Sequence, residues 1–197
     1  MAFTMPLYIS VSKSARYFLI LLCLSLGWAH ASSAQGFDIR QVQTQLVDRV
    51  YVLNAEIDYQ FSKPALEALE NGVPLIILVD IEVERVRQWW LNKDIAELQQ
   101  GYLLLYHALT EKYIVNNLNS GVQENYDTLS GALGALGNIE MLPILDAKLA
   151  ENDGDNYVVH VHTYLDLESL PAPMRPIAYI STHWRLESEW SQWPLEQ

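Results

Sequence analysis

Two histidines spaced two residues apart are the side chains of this sequence best placed to do chemistry. His160 and His162 lie in the segment YVVHVHTYLDL, residues 157–167, whose alternating apolar and polar side chains predict a β-strand. Residues i and i+2 of a strand share a face, so both imidazoles can reach one metal ion. A tetrahedral site needs further ligands, and the sequence does not place His107 or His183 beside this pair. We therefore expect two imidazoles facing solvent, with a metal centre at His160 and His162 as the alternative.

The sequence lacks the motifs that mark common catalytic sites. It contains no Gly-x-Ser-x-Gly elbow, no HExxH motif and no phosphate-binding glycine loop. Its one cysteine, Cys23, lies in an N-terminal apolar run, so the rest of the chain has neither a thiolate nucleophile nor a disulfide. Carboxylate pairs are plentiful, but any acidic chain offers them. We predict a non-enzymatic protein without a cofactor, and a carboxylate-based hydrolase is the enzymatic alternative.

The segment ERVRQWW, residues 84–90, is the leading candidate for a ligand surface. If a strand continues through it, Arg85, Arg87 and Trp89 lie on one face, and Trp90 adjoins them. A guanidinium over an indole gives a cation–π contact of about 0.5–1 kcal/mol when exposed. The four residues predict a sugar-binding or peptide-binding platform. The structural alternative is that the arginine stems cover an aromatic edge of the domain.

The elements that must position these residues are mostly strands. Alternation of apolar side chains predicts strands at residues 37–47, 51–61, 73–86, 102–109, 113–118, 157–166 and 184–190. Large aromatic side chains are usually mostly buried, so Trp184, Trp190 and Trp193 are expected in core and edge packing rather than on a ligand shelf. We predict one mainly β domain at residues 35–197, a single immunoglobulin-like β-sandwich with two short helices in its connections.

The connections carry recognisable helix and turn signals. Ser62 and either Asp127 or Thr128 have the side chains that cap helix N-termini, which places the two short helices. Three prolines within residues 171–176 predict an extended, irregular crossing before the last strand, because proline lacks the backbone N–H that regular structure uses.

The N-terminus has the pattern of an export signal. Two basic residues precede the apolar run YFLILLCLSL, residues 17–26, and small residues then offer cleavage after Ala31 or, alternatively, after Ala34. Residues 1–31 are therefore predicted to be a signal peptide that delivers the chain to a bacterial periplasm. The alternative is an uncleaved segment that anchors the chain to the inner membrane, although a span needs about 20 apolar residues.

The predicted mature chain is strongly acidic. The whole chain has 12 Lys and Arg against 24 Asp and Glu. Loss of Lys13 and Arg16 with residues 1–31 leaves 10 cations and a net charge of −14. Such a chain is repelled by nucleic acid and by anionic lipid headgroups, so neither is expected as a partner. Solubility is the simplest reason for this acidity.

Three segments resemble a family of exported proteins from Gram-negative bacteria, the domain of unknown function 4390 family. They are ALENGVPLIILVDIEVERVRQWW, YLLLYHALTEKYIVNNLNSG and LPAPMRPIAYISTHWRLESEWSQWPL, and the likeness runs from about Val50 to Leu195. The resemblance brings no catalytic residues, because the family has none assigned. It implies a partner in the cell envelope, since genes of this kind lie near a membrane histidine kinase of the nitrogen-regulation type.

These observations favour a periplasmic, non-enzymatic domain that binds a protein partner in the cell envelope and is linked to a membrane sensor kinase. The alternative function is a carbohydrate-binding or peptidoglycan-binding module that uses Arg85, Arg87, Trp89 and Trp90.

Overall fold

The computed structural model of the protein describes residues 36–87, 92–150 and 156–196. Nine strands are formed within these ranges: β1 Gly36–Val47, β2 Val50–Gln60, β3 Leu75–Val86, β4 Lys93–His107, β5 Lys112–Asn117, β6 Gln123–Tyr126, β7 Asn138–Asp146, β8 Asn156–Leu165 and β9 Ser191–Pro194. Three α-helices connect them: α1 Lys63–Glu70, α2 Leu129–Gly137 and α3 Arg175–Ile180. None of the helices in the described ranges is both long enough and apolar enough to cross a bilayer.

The strands form two antiparallel sheets that pack face to face. A three-stranded sheet has the order β1-β2-β7, and a six-stranded sheet has the order β6-β5-β4-β3-β8-β9. We call them the small sheet and the large sheet. The prediction of a mainly β, sandwich-like fold is confirmed, and the two sheets do not close into a barrel.

Strand β3 shows why the sequence folds this way. Its alternate apolar side chains are completely buried between the sheets: Leu75, Ile77, Val79, Ile81 and Val83. Strand β8 continues this inner face, with Val161 opposite Ile81 in the antiparallel register. Full burial of one such side chain contributes about 1.5–3 kcal/mol. The residues between them point to the outer face of the large sheet, which is where the candidate chemistry lies.

A buried hydroxyl pair joins the two sheets. Thr163 on β8 donates from Oγ1 to the carbonyl oxygen of Leu78 at 3.0 Å, and its Oγ1 lies 3.4 Å from the hydroxyl of Tyr59 on β2. Because the threonine proton is already used, the tyrosine hydroxyl is the donor of this second contact. Burial raises the pKa of Tyr59 far above its ordinary value, so the phenol stays protonated and keeps this bond.

On the polar outer face of the small sheet, the Asp58 carboxylate forms a cluster with the side chains of Gln60 and Arg40. Asp58 accepts hydrogen bonds from Gln60 Nε2 at 3.1 Å and from an Arg40 guanidinium nitrogen at 2.6 Å. The amide of Gln60 first, and then the guanidinium of Arg40, hold the pKa of the Asp58 carboxyl below its usual value.

The first two helices begin where the sequence predicts. The hydroxyl of Ser62 accepts from the backbone N–H of Ala65, and the hydroxyl of Thr128 accepts from that of Gly131. Helix α2 ends tightly against β2, because a Cβ at Gly137 would lie only 2.1 Å from the carbonyl oxygen of Ile57. Glycine is therefore used at this position for its small size, and its place fixes the approach of α2 to the small sheet.

Two sequence predictions near the C-terminus are corrected. The proline-rich segment forms α3 instead of an irregular crossing, because Pro176 occupies the first turn, where its missing N–H costs nothing. The predicted strand at residues 184–190 is not regular. Trp184 closes a short 3-10 turn, and one bridge joins Glu187 to Tyr164 before β9 begins.

Candidate functional site

The outer face of the large sheet carries both histidines, which confirms that they share a face of β8. They are, however, engaged separately. The Nε2 atom of His160 lies 3.1 Å from a carboxylate oxygen of Glu84, whereas the ring of His162 stacks on Trp190 and on Tyr164, with centroids 4.8 Å and 5.2 Å away. Among the described residues no group of three or more His, Cys, Asp or Glu is arranged to hold a metal ion.

Strands β3 and β4 surround these rings with carboxylates. Glu82 lies directly opposite Glu97 in the antiparallel register, and Glu84 lies opposite Asp94. Of these four carboxylates, Glu84 lies beside the His160 ring, with 3.1 Å between the carboxylate oxygen and Nε2. Like charges opposite one another destabilise a sheet. The opposed carboxylates therefore contribute electrostatic repulsion on this face.

A hydrogen-bonded network of polar side chains lies beside the Tyr164 end of the ring stack. Gln99 Nε2 donates to a carboxylate oxygen of Asp80 at 2.8 Å and lies 3.4 Å from the hydroxyl of Tyr164. Partial burial, followed by the charges of Asp80 and Asp166, raises the pKa of Tyr164. This phenol therefore remains a hydroxyl at neutral pH and is able both to donate and to accept.

The ring stack leads into a cavity of about 540 Å³ between β8 and α3. The cavity is lined by Tyr164 and by apolar and charged side chains, including Leu78, Asp166, Tyr179, Arg185 and Glu187. We call the rings of Trp190, His162 and Tyr164, together with this cavity, the aromatic cleft. Trp190 and Tyr179 are both about half exposed, at 48% and 53%.

A second concavity opens between the two sheets. It has a volume of about 590 Å³, and its lining combines polar side chains with six larger apolar or aromatic ones: Tyr102, Val115, Val122, Tyr126, Ile139 and Leu142. Strands β6 and β7 flank it, and each is the outermost strand of its sheet in the described structure. We call this concavity the edge groove.

The rim of the edge groove is acidic and polar. Glu124 and Glu140 line it together with Asn117, Ser120 and Asn138. The hydroxyl of Tyr126 donates to the Glu124 carboxylate, and this hydrogen bond, with partial burial, raises the pKa of Tyr126 to about 12. The groove thus combines a mixed lining, in which Val115 and Ile139 are buried, with negatively charged side chains at its entrance.

Strand β7 is irregular where it borders the groove. Met141 has a φ of 51°, a left-handed conformation that non-glycine residues rarely adopt, and its backbone N–H donates to the Asn54 side chain at 2.9 Å. Pro143 contributes no N–H to the strand. These features break the regular ladder of the edge, as natural edge strands often do.

Of the residues proposed for an arginine and tryptophan face, Arg85 and Arg87 do not share a regular strand face. Strand β3 ends at Val86, so the strand face that was expected to carry Arg87 is absent. Arg85 pairs with Tyr157 on the inner side of the sheet, and its Nε atom is buried. Arg87 follows the strand, and its backbone N–H donates to the Asn92 side chain. Trp89 and Trp90 lie outside the described residues.

Sequence patterns missed the residues that form the two concavities. Trp184 is buried and Trp193 is half-buried, as expected, but Trp190 was also assigned to packing and is instead half exposed against His162. The alternation that predicts a strand at residues 184–190 places Trp190 with Trp184, and no feature of the sequence marks the break in register at β9. The groove residue Val122 lies in the connection between β5 and β6, where sequence periodicity gives no signal.

Comparison with known proteins gives one match. The family described as Domain of unknown function (DUF4390) matches residues 34–194, which is most of the chain. No curated protein and no solved structure matches the sequence or fold of this chain. The chain therefore belongs to the DUF4390 family.

Proposed function

We propose that this protein is an exported, non-enzymatic domain that holds an extended apolar segment of a protein partner in its edge groove. The observation that carries the proposal is a concavity of about 590 Å³ that offers both apolar and polar side chains and is flanked by the outermost strands of both sheets. Its volume lies in the range of about 300–1,000 Å³ that is usual for ligand sites.

The groove suits an extended segment because it offers two kinds of contact. Strand β6, the regular one of the two outermost strands, has backbone N–H and C=O groups to which another strand can add, and these hydrogen bonds supply affinity without regard to sequence. Successive side chains of an added strand alternate in direction, so every second one would enter the groove and meet Val115, Ile139 and Leu142. Apolar residues at alternate positions are therefore the signature expected in the partner.

The charge of the domain selects among partners. Glu124 and Glu140 stand at the rim, and the whole chain has a net charge of −12. Electrostatic attraction favours a segment in which Lys or Arg flanks the apolar residues. The same charge opposes binding of nucleic acid or of an anionic membrane surface.

The setting of this function is the periplasm of a Gram-negative cell. Residues 1–31 would act as the export signal, with cleavage after Ala31 or Ala34, and an uncleaved signal would hold the same domain at the inner membrane. The partner is an envelope protein, and a membrane sensor kinase is the first candidate to test.

Site-specific photocrosslinking in cells tests the proposal. A photoreactive phenylalanine analogue replaces Val122, which lines the groove and is 58% exposed, in the full chain at its native expression level. Leu109, which is 93% exposed on the β4–β5 turn, receives the same analogue as the matched control. We expect one envelope protein to be captured from position 122 and not from position 109.

A second pair of variants distinguishes groove binding from nearby contact. Ala135→Phe fills the groove from helix α2, whereas Ser130→Phe adds the same ring to an exposed position of that helix away from the groove. Only Ala135→Phe should abolish capture at position 122. Equal capture from positions 122 and 109, or capture that survives Ala135→Phe, contradicts the proposal.

A further inference from the structure

We propose that the aromatic cleft is a binding site for a neutral oligosaccharide, separate from the edge groove and independent of it. The site would run from the exposed ring of Trp190, along His162 and Tyr164, into the cavity beside Tyr179. It differs from the arginine and tryptophan face that the sequence indicates, since neither Arg85 nor Arg87 takes part.

The first argument is the exposure of the rings. The ring of Trp190 lies 4.8 Å from that of His162 at an interplanar angle of 20°, yet 48% of the residue remains exposed. Tyr179 on α3 is 53% exposed. Large aromatic side chains combine an apolar surface with a polar tip and are mostly buried in domains of this size. Two half-exposed rings along one cleft thus form a surface suited to the apolar C–H faces of sugar rings.

The second argument is the shape of the site. The cavity of about 540 Å³ is large enough for a small-molecule ligand. Tyr164 belongs both to the cavity wall and to the ring stack, since its ring centroid lies 5.2 Å from that of His162. The stack and the cavity are therefore continuous, and a chain of several sugar rings would contact both.

The third argument is the supply of hydrogen-bonding groups. The Asp80 carboxylate, the Gln99 amide and the Tyr164 hydroxyl form one network beside the stack. Arg185 and Glu187 line the cavity farther along. Carboxylates accept from sugar hydroxyls, while guanidinium and amide groups donate to them. A few polar groups that orient a ligand above an apolar platform are what small-ligand sites contain.

The charges of the cleft define the class of sugar. Asp166, Glu168 and Glu187 line the cavity, and Arg185 is the only cation among its lining residues. Asp80 adds a further carboxylate at the stack. Acidic sugars would be repelled by this face. The cleft therefore excludes acidic sugars, and an uncharged oligosaccharide is the ligand proposed.

Fluorine NMR of the purified protein tests the proposal at the level of single rings. The chain has six tryptophans, of which Trp28 lies in the proposed export signal, so 5-fluorotryptophan labelling of the mature protein gives five signals, and Trp190→Phe identifies one of them. The probes are maltohexaose, cellohexaose and chitohexaose, titrated separately, with an oligogalacturonate as the acidic control. We expect one of the neutral sugars to shift the Trp190 signal saturably, while the signal of Trp193, which does not line the cavity and which Trp193→Phe identifies, stays fixed.

Variants then link binding to the whole cleft. Trp190→Ala and Tyr179→Ala should each weaken binding roughly tenfold or more, the scale for removal of a central aromatic anchor. Ile180→Ala is the matched control, because Ile180 is 85% exposed on the same helix and does not line the cavity. Thermal unfolding checks that all three variants stay folded.

Several results would overturn the proposal. The first is that none of the three neutral sugars shifts the Trp190 signal saturably. The second is that the affinity is unchanged in both Trp190→Ala and Tyr179→Ala, or that only one of these variants loses binding. The third is that the oligogalacturonate binds as tightly as the neutral sugar.

Discussion

Two glycines of helix α2 should respond in opposite ways to the same substitution. At Gly137 an added Cβ would lie 2.1 Å from the carbonyl oxygen of Ile57, which is 1.3 Å less than the 3.4 Å where ordinary contact begins. At Gly134 nothing lies within 4 Å of an added Cβ. Both glycines have a φ that alanine adopts freely, so backbone strain does not separate the two sites.

The magnitudes follow from this geometry. Alanine in place of an exposed helical glycine stabilises by up to about 1 kcal/mol, which is the full expectation for Gly134→Ala. Forcing extra volume into a packed contact costs about 1–3 kcal/mol or more. The clash at Gly137 is with backbone, which cannot rotate away, so Gly137→Ala should lower the free energy of unfolding by about 2 kcal/mol or more. The two variants should therefore differ by roughly 3 kcal/mol.

Equilibrium unfolding in urea, followed by far-ultraviolet circular dichroism, measures this difference. With a urea dependence of about 2 kcal/mol per molar, the midpoint of Gly137→Ala should fall by about 1 M. The midpoint of Gly134→Ala should rise. If Gly137→Ala unfolds at the same urea concentration as the parent protein, α2 does not press on β2 in the way described, and the placement of the groove wall beside it is wrong.

Three further perturbations test other parts of the structure. Glu97→Gln removes a charge opposite Glu82 and should raise the free energy of unfolding by about 0.2–1 kcal/mol in urea titrations, with the gain disappearing in 1 M salt. Met141→Asn places a residue that tolerates the left-handed conformation at a φ of 51°. It should raise the free energy of unfolding by up to about 1 kcal/mol, and with it the melting temperature; a lower melting temperature would contradict this. Asp58 has a lowered pKa when folded, so its contribution to stability is present above pH 3.8 and is lost as the pH falls through the folded pKa. Asp58→Asn should therefore reduce stability at neutral pH and flatten its decline in acid, and an unchanged acid profile would count against the Asp58 cluster.

Local patterns predicted the elements that depend on neighbouring residues. The alternation in β3 was sufficient to predict a strand, because one face of β3 is completely buried and the other is not. The Ser62 cap was sufficient to predict the start of α1, because its partner Ala65 lies three residues away. The prediction for the proline-rich segment was wrong because proline has opposite effects at different positions of a helix. It ends a helix from within but begins one from the first turn, as Pro176 does.

The candidate sites were harder to predict because they are made by distant segments. The shared face of His160 and His162 follows from one strand alone, and the sequence predicted it. The stack of Trp190 on His162 depends on where β9 starts to pair, which is set by long-range packing. The edge groove arises from the absence of strands beside β6 and β7 in the described structure, and the sequence of either strand carries no sign of such an absence.

The position of β3 in the large sheet also fixes the order in which the domain can be completed. One of its neighbours, β4, follows directly along the chain, but the other is β8, whose His160 contacts Glu84 across 76 residues of sequence. Pairings between such distant segments slow folding, since the intervening chain must first be brought together. As the chain emerges, one side of β3 therefore stays exposed until β8 has appeared, and β8 remains an open edge until β9 follows. A product truncated before β8 would not be a smaller stable domain, but a sheet with a bare hydrogen-bonding edge that is prone to aggregate.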